Sequence, residues 1–304
     1  MRRLLLIVNQ NAYRVTRERR AAVTDLLSRG FKLEEAATTR PGHGTELASE
    51  AVLDGVEIVA AFGGDGTVNE VVNGLTRTDV PLAIVPGGMA NVFARSLGIP
   101  NEAVAAATLL VDNAKASPRR VTLGVLNGRS FTSNCGVGFD AAVVRRVEKN
   151  QRAKKRWGDS FFVWSGLRVF FAGFDRRNPR ISVAWGENLE HRRDGLFFAI
   201  VQNTKPYTYL GKRPMQLCPA AELDAGLDFI ALDSMGTRVA LGAVLSSFGS
   251  GHHITKPHVL YVRDQPRIVV ECDRPLPVQL DGEYIGERDR VLVEAAPNAL
   301  SVIY

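Results

Sequence analysis

The sequence predicts a protein of two domains: an open, mostly parallel α/β sheet over residues 1–120, followed by a β-rich, sandwich-like domain over residues 121–290. The length of 304 residues is long for a single core. Up to about residue 100, apolar strand patterns alternate with helix patterns. After Pro118, strand patterns and turn signals dominate. We expect that the last one or two strands, about residues 291–304, can return to the first domain.

The first domain is predicted from continuous apolar runs, which are typical of central parallel strands, and from helices that end at glycine. The predicted strands are Leu4–Val8, Phe31–Ala37, Val56–Phe62 and Leu82–Val85. The predicted helices are Thr16–Arg29, Glu46–Asp54, a segment that follows the Gly63–Gly66 loop and runs through Val72, and Asn91–Leu97.

The second domain is predicted from a hairpin signal and a series of short strands. Asn127-Gly128 lies between Val121–Leu126 and Ser130–Asn134, which is a strong pattern for a tight antiparallel turn. Further predicted strands are Ile181–Trp185, Leu196–Gln202, Phe229–Leu232, Val259–Val262, Arg267–Cys272 and Val291–Val293. The predicted helices are Asp140–Lys149, Phe161–Phe171 and Arg238–Phe248.

Composition narrows the functional classes. The three cysteines are far apart and form no C-x-x-C pair, so neither a disulfide framework nor a zinc site is expected. The short apolar run after Met1 lacks the features of a signal peptide, and Phe161–Phe174 is too short to span a bilayer. We therefore expect a cytoplasmic protein that is able to bind peripherally at a membrane.

The net charge of +6 is concentrated in one segment, residues 145–156, which has seven basic residues against Glu148. Such a run attracts anionic lipid, phosphate or nucleic acid, although a solvated helix end is an equal alternative. No nucleic-acid-binding motif accompanies it, so we expect no nucleic-acid partner. An aromatic-rich segment follows the basic run. We interpret it either as part of the core or as a helix that faces a membrane or lines an apolar substrate pocket. Its aromatic residues are Trp157, Phe161, Phe162, Trp164, Phe170, Phe171 and Phe174.

The motif that carries chemistry is Gly63-Gly64-Asp65-Gly66-Thr67-Val68-Asn69-Glu70, between a buried strand and a helix. Glycines allow close approach of a phosphate, and a helix N-terminus offers free N–H groups. A carboxylate repels phosphate, so Asp65 is interpreted as facing either a magnesium ion or the hydroxyl group of a substrate that accepts the phosphate. Thr67 and Glu70 match a capping box. A plain turn with a capped helix is the structural alternative.

Two further glycine patterns deserve separate interpretation. Pro86-Gly87-Gly88-Met89-Ala90-Asn91 follows the next strand and is predicted to form a second wall of a nucleotide cleft. Gly136-x-Gly138-x-x-Ala141 matches the residue pattern of a dinucleotide-binding motif, but it follows a predicted hairpin. We interpret it as a turn into a helix. The P-loop pattern and the protein-kinase motifs are both absent from the sequence.

Together these motifs resemble the diacylglycerol kinase catalytic-domain family, which includes bacterial lipid kinases and the sphingosine and ceramide kinases. The resemblance covers nearly the whole chain and implies ATP and Mg²⁺ as cofactors. It implies that the nucleotide is bound in an α/β N-terminal nucleotide-binding domain by residues from four loops: Asn9, Thr39, Gly63, Gly64, Gly66, Thr67, Asn69, Glu70, Gly88 and Met89. Met89 and Val92 depart from the family's usual threonine and aspartate.

The resemblance also extends to the second half of the chain. Asp281-Gly282-Glu283 resembles the family's D-G-E motif, which implies that Glu283 is the catalytic base beside Asp65. Without the resemblance, Asp-Gly would be interpreted as a hairpin turn with an exposed glutamate. Residues 223–228 resemble a magnesium-binding stretch, which implies Asp224 as a metal ligand with the carbonyls of Ala221 and Gly226. A plain exposed turn is the alternative there, and Ala225 replaces the usual glycine.

The resulting hypothesis is an ATP-dependent lipid kinase that transfers the γ-phosphate to a lipid hydroxyl, with diacylglycerol or a related lipid as acceptor. One alternative is an NAD kinase-like small-molecule kinase, which shares the GGDG core. Another is a degenerate nucleotide- or lipid-sensing domain, since Met89, Val92 and Ala225 depart from the pattern. The expected partners are a lipid substrate, an anionic membrane surface and, through edge strands, a second copy in a homodimer.

Overall fold

The computed structural model describes residues 1–150, 159–249 and 251–304. The chain divides into two compact units. The first unit comprises Met1–Leu123 together with Pro297–Tyr304, and the second comprises Gly124–Ala296. Arg152, Lys154, Lys155 and Arg156 of the basic run, together with Trp157, lie outside the described residues.

The first unit is built on a parallel sheet of four strands: β1 (Arg3–Val8), β2 (Lys32–Ala37), β3 (Ile58–Gly63) and β4 (Leu82–Pro86). Their spatial order is β4-β3-β1-β2. The apolar strands β1, β3 and β4 are largely buried, as their continuous apolar sequences predict, whereas β2 at the edge has no buried residue. Val302, in the last strand of the chain, pairs in parallel with Leu82 of β4. The predicted α/β sheet is confirmed.

Helices connect the strands of the first unit. The Thr16 side chain caps α1 by accepting a hydrogen bond from the Arg19 N–H. The helices are α1 (Arg17–Gly30), α2 (His43–Leu53), α3 (Asp65–Leu75), α4 (Val92–Ser96) and α5 (Ala103–Asp112). The sequence patterns did not predict α5. Its alanine-rich sequence becomes a helix by packing against α1, where Val111 lies over Gly30.

The second unit is built mainly from antiparallel strands. Its strands are β5 (Arg119–Leu126), β6 (Arg129–Phe131), β7 (Asn134–Gly138), β8 (Ile181–Trp185), β9 (His191–Leu196), β10 (Phe198–Gln202), β11 (Thr208–Leu210), β12 (Arg213–Met215), β13 (Leu227–Leu232), β14 (Val259–Gln265), β15 (Arg267–Leu280) and β16 (Glu283–Val302). Their spatial order is β14-β13-β10-β7-β15-β16, with β8 paired to β15 and β9 paired to β8. Of these, β5 begins and β16 ends in the first unit.

Two hairpins in the second unit share the same turn chemistry. Asn127-Gly128 and Asp281-Gly282 each have two consecutive residues with positive φ, at 46° and 89° and at 47° and 80°. These angles are those of the two-residue turn that matches the twist of paired strands. The first turn joins β5 to β6, as predicted, and the second pairs Leu280 with Glu283.

The second unit also contains the helices α6 (Phe139–Glu148), α7 (Asp159–Ala172) and α8 (Thr237–Ser247), and a short 3₁₀ helix at His252–Thr255. All three α-helices agree with the sequence prediction to within two residues. In the part of the chain that the structure describes, no helix combines the length and apolarity needed to cross a membrane.

Candidate active site

The two glycine-rich turns of the first unit lie against each other in backbone contact. The Gly87 N–H donates a 2.7 Å hydrogen bond to the Gly63 carbonyl oxygen. A Cβ atom added at Gly88 would lie 2.7 Å from the Gly64 Cα, which is closer than real Cβ contacts allow. The contact between the two turns therefore requires glycine at 88, and a Cβ atom at Gly64 would lie 3.3 Å from the Gly88 Cα, which is a tight contact.

Gly66 differs from the other glycines of the motif. It is exposed in the first turn of α3, and a Cβ atom added there would meet nothing within 4 Å. By contrast, a Cβ atom at Gly63 would lie 2.5 Å from the Thr67 Oγ1. The open space lies beside the N-terminus of α3, where free N–H groups and the helix dipole favour an anion. Packing explains Gly63, whereas no packing constraint explains Gly66.

Asp65 holds the beginning of the next helix. Its Oδ1 accepts a 2.6 Å hydrogen bond from the Val92 N–H at the start of α4. A carboxylate near the N-terminus of a helix is stabilised by the free N–H groups and by the helix dipole. The sequence pattern predicts Asp65 at the metal or the acceptor, and nothing in it indicates this contact. The structure shows that the carboxylate also links the two glycine turns.

Asn91 fixes the second glycine turn from within. It has a left-handed conformation with φ of 48°. Its Oδ1 accepts a hydrogen bond from the Gly88 N–H at 2.9 Å, and its Nδ2 donates to the Gly88 carbonyl at 3.0 Å and to the Asn101 Oδ1 at 2.6 Å. Asn101 was not predicted from the sequence, because its partner is ten residues away and no local pattern marks it. Met89, between these anchors, is exposed.

The predicted capping box is wrong. The N-cap of α3 is Gly64, with no side-chain cap, and Thr67 lies inside the helix. The buried Thr67 Oγ1 instead accepts a 2.9 Å hydrogen bond from the Asn9 Nδ2. The helix begins at Asp65, two residues earlier than predicted, so Asp65 and Gly66 form its first turn. Thr67 and Asn9 thus join the turn after β3 to the turn after β1.

Glu70 also has a different partner from the one the capping box requires. Its carboxylate accepts hydrogen bonds from the Gly42 N–H at 2.8 Å and the Gly44 N–H at 2.9 Å. It therefore fixes the loop that precedes α2. Thr39 lies in that loop, where it contacts the His43 Nδ1. Asn69 is buried and accepts a hydrogen bond from the Asn73 Nδ2 through its carbonyl oxygen at 2.9 Å.

In the second unit, Glu283 directly follows the Asp281-Gly282 turn and is the first residue of β16. The Asp281 carboxylate accepts hydrogen bonds from three consecutive backbone N–H groups, at 132, 133 and 134, and from the Thr132 hydroxyl, all at 2.8–3.0 Å. Glu283 is more than half exposed and forms a 2.5 Å ion pair with the Arg129 Nη2. Asp281 thus fixes the turn to the backbone of residues 132–134, whereas the Glu283 side chain is exposed.

The candidate magnesium ligands lie in the turn before β13. Asp224 is exposed, Ala221 is buried, and the Gly226 N–H donates to the Asp264 Oδ1 at 2.6 Å. A carboxylate and backbone carbonyls are the hard oxygen ligands that Mg²⁺ takes, often with several waters, so the donor types fit. Among residues 1–150, 159–249 and 251–304, no cluster of three or more His, Cys, Asp or Glu side chains is arranged to hold a metal.

Comparison with known families gives two matches that together cover most of the chain. Residues 3–124 match the diacylglycerol kinase catalytic domain, and residues 133–304 match the YegS C-terminal NAD kinase beta sandwich-like domain. The second match confirms the predicted sandwich-like architecture. The junction between the two matches falls close to the division of the chain into compact units at Leu123.

Individual relatives agree with these family matches. A protein named "Probable lipid kinase YegS-like" from Pseudomonas aeruginosa (strain UCBPP-PA14) is 32% identical over 94% of this chain and 89% of its own length. The diacylglycerol kinase of Bacillus subtilis (strain 168) is 29% identical over 84% of this chain and 81% of its own length. A diacylglycerol kinase crystal structure from Bacillus anthracis str. Sterne has the same fold, with a TM-score of 0.73, 21% identity, and coverage of 99% and 96% of the two chains. The chain therefore belongs to the diacylglycerol kinase-like family of lipid kinases.

Proposed function

We propose that this protein transfers the γ-phosphate of ATP to the hydroxyl of a lipid, with diacylglycerol or a related lipid as the acceptor. The observation that carries the proposal is the exposed Gly66 at the N-terminus of α3, which has open space beside it. A helix N-terminus without side-chain obstruction suits the phosphates of a nucleotide. The neighbouring turn at Gly88 supplies the second wall, as the backbone contact between the turns supports.

In this proposal, Glu283 acts on the acceptor. It accepts the proton of the lipid hydroxyl as that oxygen bonds to the γ-phosphorus, and the bond to the ADP oxygen breaks. The products are a phosphorylated lipid, ADP and a proton. General base catalysis of this kind contributes about 10²–10⁴ in rate. Positioning and charge neutralisation supply most of the remainder, because phosphoryl transfer needs little covalent chemistry from the protein.

Magnesium, when bound, neutralises charge on the phosphates. We assign Asp65 to the magnesium or acceptor side of the nucleotide. Asp224, with the carbonyls of Ala221 and Gly226, would hold a structural magnesium in the turn before β13. The donor types at both places are the oxygens that this ion takes.

A purified-protein assay tests the proposal. The protein is incubated with ATP labelled at the γ-phosphate, Mg²⁺ and, separately, diacylglycerol, a sphingoid base, phosphatidylglycerol, a polyisoprenoid alcohol or NAD. Label transferred to diacylglycerol, and lost in the E283Q variant, supports the proposal. Label on NAD alone would instead establish an NAD kinase-like activity. Tight binding of ATP without turnover on any acceptor would indicate a sensing domain.

We further propose that this lipid kinase reaches its acceptor by docking on an anionic bilayer through α7 and α8. Exposed large apolar side chains are concentrated on these two helices: Val163, Trp164, Leu167, Phe171, Leu241, Val244 and Leu245. The aromatic segment therefore divides between the core and the surface: Phe161 and Phe170 are buried in the core, whereas Trp164 and Phe171 are exposed. The two helices adjoin where Ala240 packs against a cluster containing Phe170.

Basic side chains border this apolar surface. The guanidinium of Arg146 lies 4.9 Å from the centre of the Trp164 ring, and that of Arg176 lies 5.6 Å from the centre of the Phe171 ring. Apolar and aromatic side chains beside cations suit the boundary between anionic headgroups and acyl chains. The positive charge beside this apolar surface favours an anionic bilayer over a neutral one.

Vesicle sedimentation tests the docking proposal. The protein is expected to sediment with phosphatidylglycerol vesicles and much less with phosphatidylcholine vesicles. Replacing Leu167 and Phe171 with serine is expected to reduce sedimentation at least fivefold, as is reversing the charge at Arg145, Arg146 and Lys149. Unchanged sedimentation of both variants would contradict the proposal. Serine at the exposed Tyr13, on the first unit, is the control and is expected to have no effect.

A further inference from the structure

A buried polar network lies directly behind the turn that presents Glu283. Its centre is Gln279, which is fully buried on β15 two residues before Asp281. The Gln279 Oε1 accepts a 2.9 Å hydrogen bond from the Gly282 N–H, inside the turn. Its Nε2 donates to the Asn134 Oδ1 and to the Asp140 Oδ2, both at 2.8 Å. One side chain therefore joins the turn to two buried groups.

Asp140 anchors this network from α6. The side chain is buried, and its second oxygen accepts a hydrogen bond from the Tyr207 hydroxyl. Burial raises the pKa of Asp140 above its ordinary value, and the hydrogen bonds from Tyr207 and Gln279 partly oppose this. Each carboxylate oxygen has a donor, so the group holds Gln279 in one orientation. A buried polar network whose members are all satisfied is rigid and specifies a single geometry.

The same network explains the fingerprint-like glycines of the sequence. A Cβ atom added at Gly136 would lie 2.1 Å from the Asp140 Oδ2 and 3.0 Å from the Gln279 Nε2. Gly138, with φ of 91°, forms the N-cap of α6 and turns the chain so that Asp140 follows in the first turn. Gly136 therefore makes room for a carboxylate and a carboxamide, and Gly138 forms the turn into the helix that the sequence pattern predicts.

We propose that Gln279, held by Asp140, is a positioning residue that fixes Glu283 for proton acceptance. The inference rests on the proposed function, because it assigns Gln279 to the geometry of that reaction. The Asp281 carboxylate fixes the turn by accepting hydrogen bonds from the backbone of residues 132–134. The Gln279 Oε1 fixes the same turn by accepting a hydrogen bond from the Gly282 N–H. A general base must lie within hydrogen-bond reach of the proton, and a displacement of about 1 Å costs on the order of 10²-fold in rate.

The matched test compares Gln279→Met with Gln202→Met. Methionine has nearly the shape of glutamine but cannot make these hydrogen bonds. Gln202 is equally buried in the same unit, and its side chain accepts from the Cys218 N–H and donates to the Thr204 carbonyl, both at 2.9 Å. Gln279→Met is expected to lower kcat at least tenfold with the KM for ATP unchanged. Gln202→Met is expected to lose a similar amount of stability and to keep kcat within twofold.

A double-mutant cycle separates positioning from general destabilisation. In the Glu283→Gln background, Gln279→Met is expected to cause no further loss of residual activity, because the group that it positions is absent. Asp140→Asn is expected to retain kcat within threefold, since an amide can accept from Gln279 and donate to the Tyr207 oxygen. A kcat for Gln279→Met within twofold of the wild type, or an equal loss in the Glu283→Gln background, would overturn the inference.

A second variant and a second measurement also test the inference. If Gln279→Met does not fold, Gln279→Glu takes its place. Glutamate keeps an acceptor for the Gly282 N–H but replaces the amide that donates to Asp140 with a carboxylate oxygen, so kcat is expected to fall at least fivefold. Hydrogen exchange at the Gly282 amide is expected to be faster in Gln279→Met, and unchanged exchange would also overturn the inference. If the wild type labels no lipid, the proposed function fails, whereas the exchange experiment still tests the link between Gln279 and the turn.

Discussion

The Oδ1 of Asp65 lies 2.6 Å from the Val92 nitrogen, so a residue of the first glycine turn caps the helix that follows the second. This contact gives Asp65 a structural task in addition to the chemical one proposed for it. The two tasks need different atoms and properties. An acceptor oxygen is sufficient for the cap, whereas the chemistry requires a negative charge.

The first prediction uses this difference. Asp65→Asn keeps an oxygen for the Val92 N–H and is expected to change the free energy of unfolding by less than about 1 kcal/mol, while kcat falls at least about 100-fold. Asp65→Ala is expected to be equally inactive and to lose a further ~1 kcal/mol of stability. Urea unfolding and the labelled-ATP assay measure both. Full activity in Asp65→Asn would remove Asp65 from the mechanism.

The second prediction separates a packing glycine from a ligand-binding glycine. Gly66→Ala places a methyl group in open space and is expected to keep stability or raise it by up to about 1 kcal/mol, because alanine favours a helix. The same methyl is expected to raise the KM for ATP at least tenfold. Gly88→Ala is expected to lose about 1–3 kcal/mol, because its Cβ would lie 2.7 Å from the Gly64 Cα.

These two variants are compared by thermal unfolding and by ATP titration. Gly88→Ala serves as the control for a defect that arises through packing. An unchanged KM for ATP in a stable Gly66→Ala protein would show that the space beside Gly66 is not used by the phosphates.

The third prediction concerns neighbouring carboxylates in one turn. Glu283→Gln is expected to lower kcat by at least about 100-fold and stability by less than about 1 kcal/mol, because its ion pair with Arg129 is exposed. Asp281→Ala is expected to lose more than about 2 kcal/mol, because it leaves the donors of residues 132–134 without their acceptor. Urea unfolding beside the kinase assay distinguishes the two effects, and equal losses of stability would contradict the assignment.

The fourth prediction is a pH dependence from Asp140. Burial raises the pKa of its carboxyl in the folded state, so the folded protein binds the proton more tightly than the unfolded chain. Its contribution to stability is therefore full below the unfolded pKa, about 4, and is lost as pH rises through the higher folded pKa. Asp140→Asn lacks this titration. The stability of Asp140→Asn relative to the wild type is expected to increase with pH above about 4.

Urea unfolding of both proteins between pH 4 and pH 8 measures this difference. The groups that face the carboxyl are the Tyr207 hydroxyl and the Gln279 carboxamide, and neither is expected to change charge in this range. A difference in stability that is constant with pH would contradict a raised pKa.

Much of the fold follows from local sequence. The apolar runs, the glycines after helices and the pairs Asn127-Gly128 and Asp281-Gly282 each specify a conformation through residues adjacent in the chain. The α/β sheet, the hairpin at residue 127 and the presence of helices α6 to α8 were predictable for this reason. The alanine-rich α5 was not, because its apolar residues lack a helical periodicity and its packing partner is α1.

By itself, the sequence determined where the glycine-rich turn at residues 63–67 lies and which residue types it offers. Only the tertiary structure decided what those residues contact. Thr67 and Glu70 look like reciprocal caps in the sequence, yet they bind Asn9 and the loop before α2. Gln279 meets Asp140 across 139 positions of the chain. Such partners are chosen by strand order and burial, because a buried polar group must find a hydrogen bond wherever the topology places one.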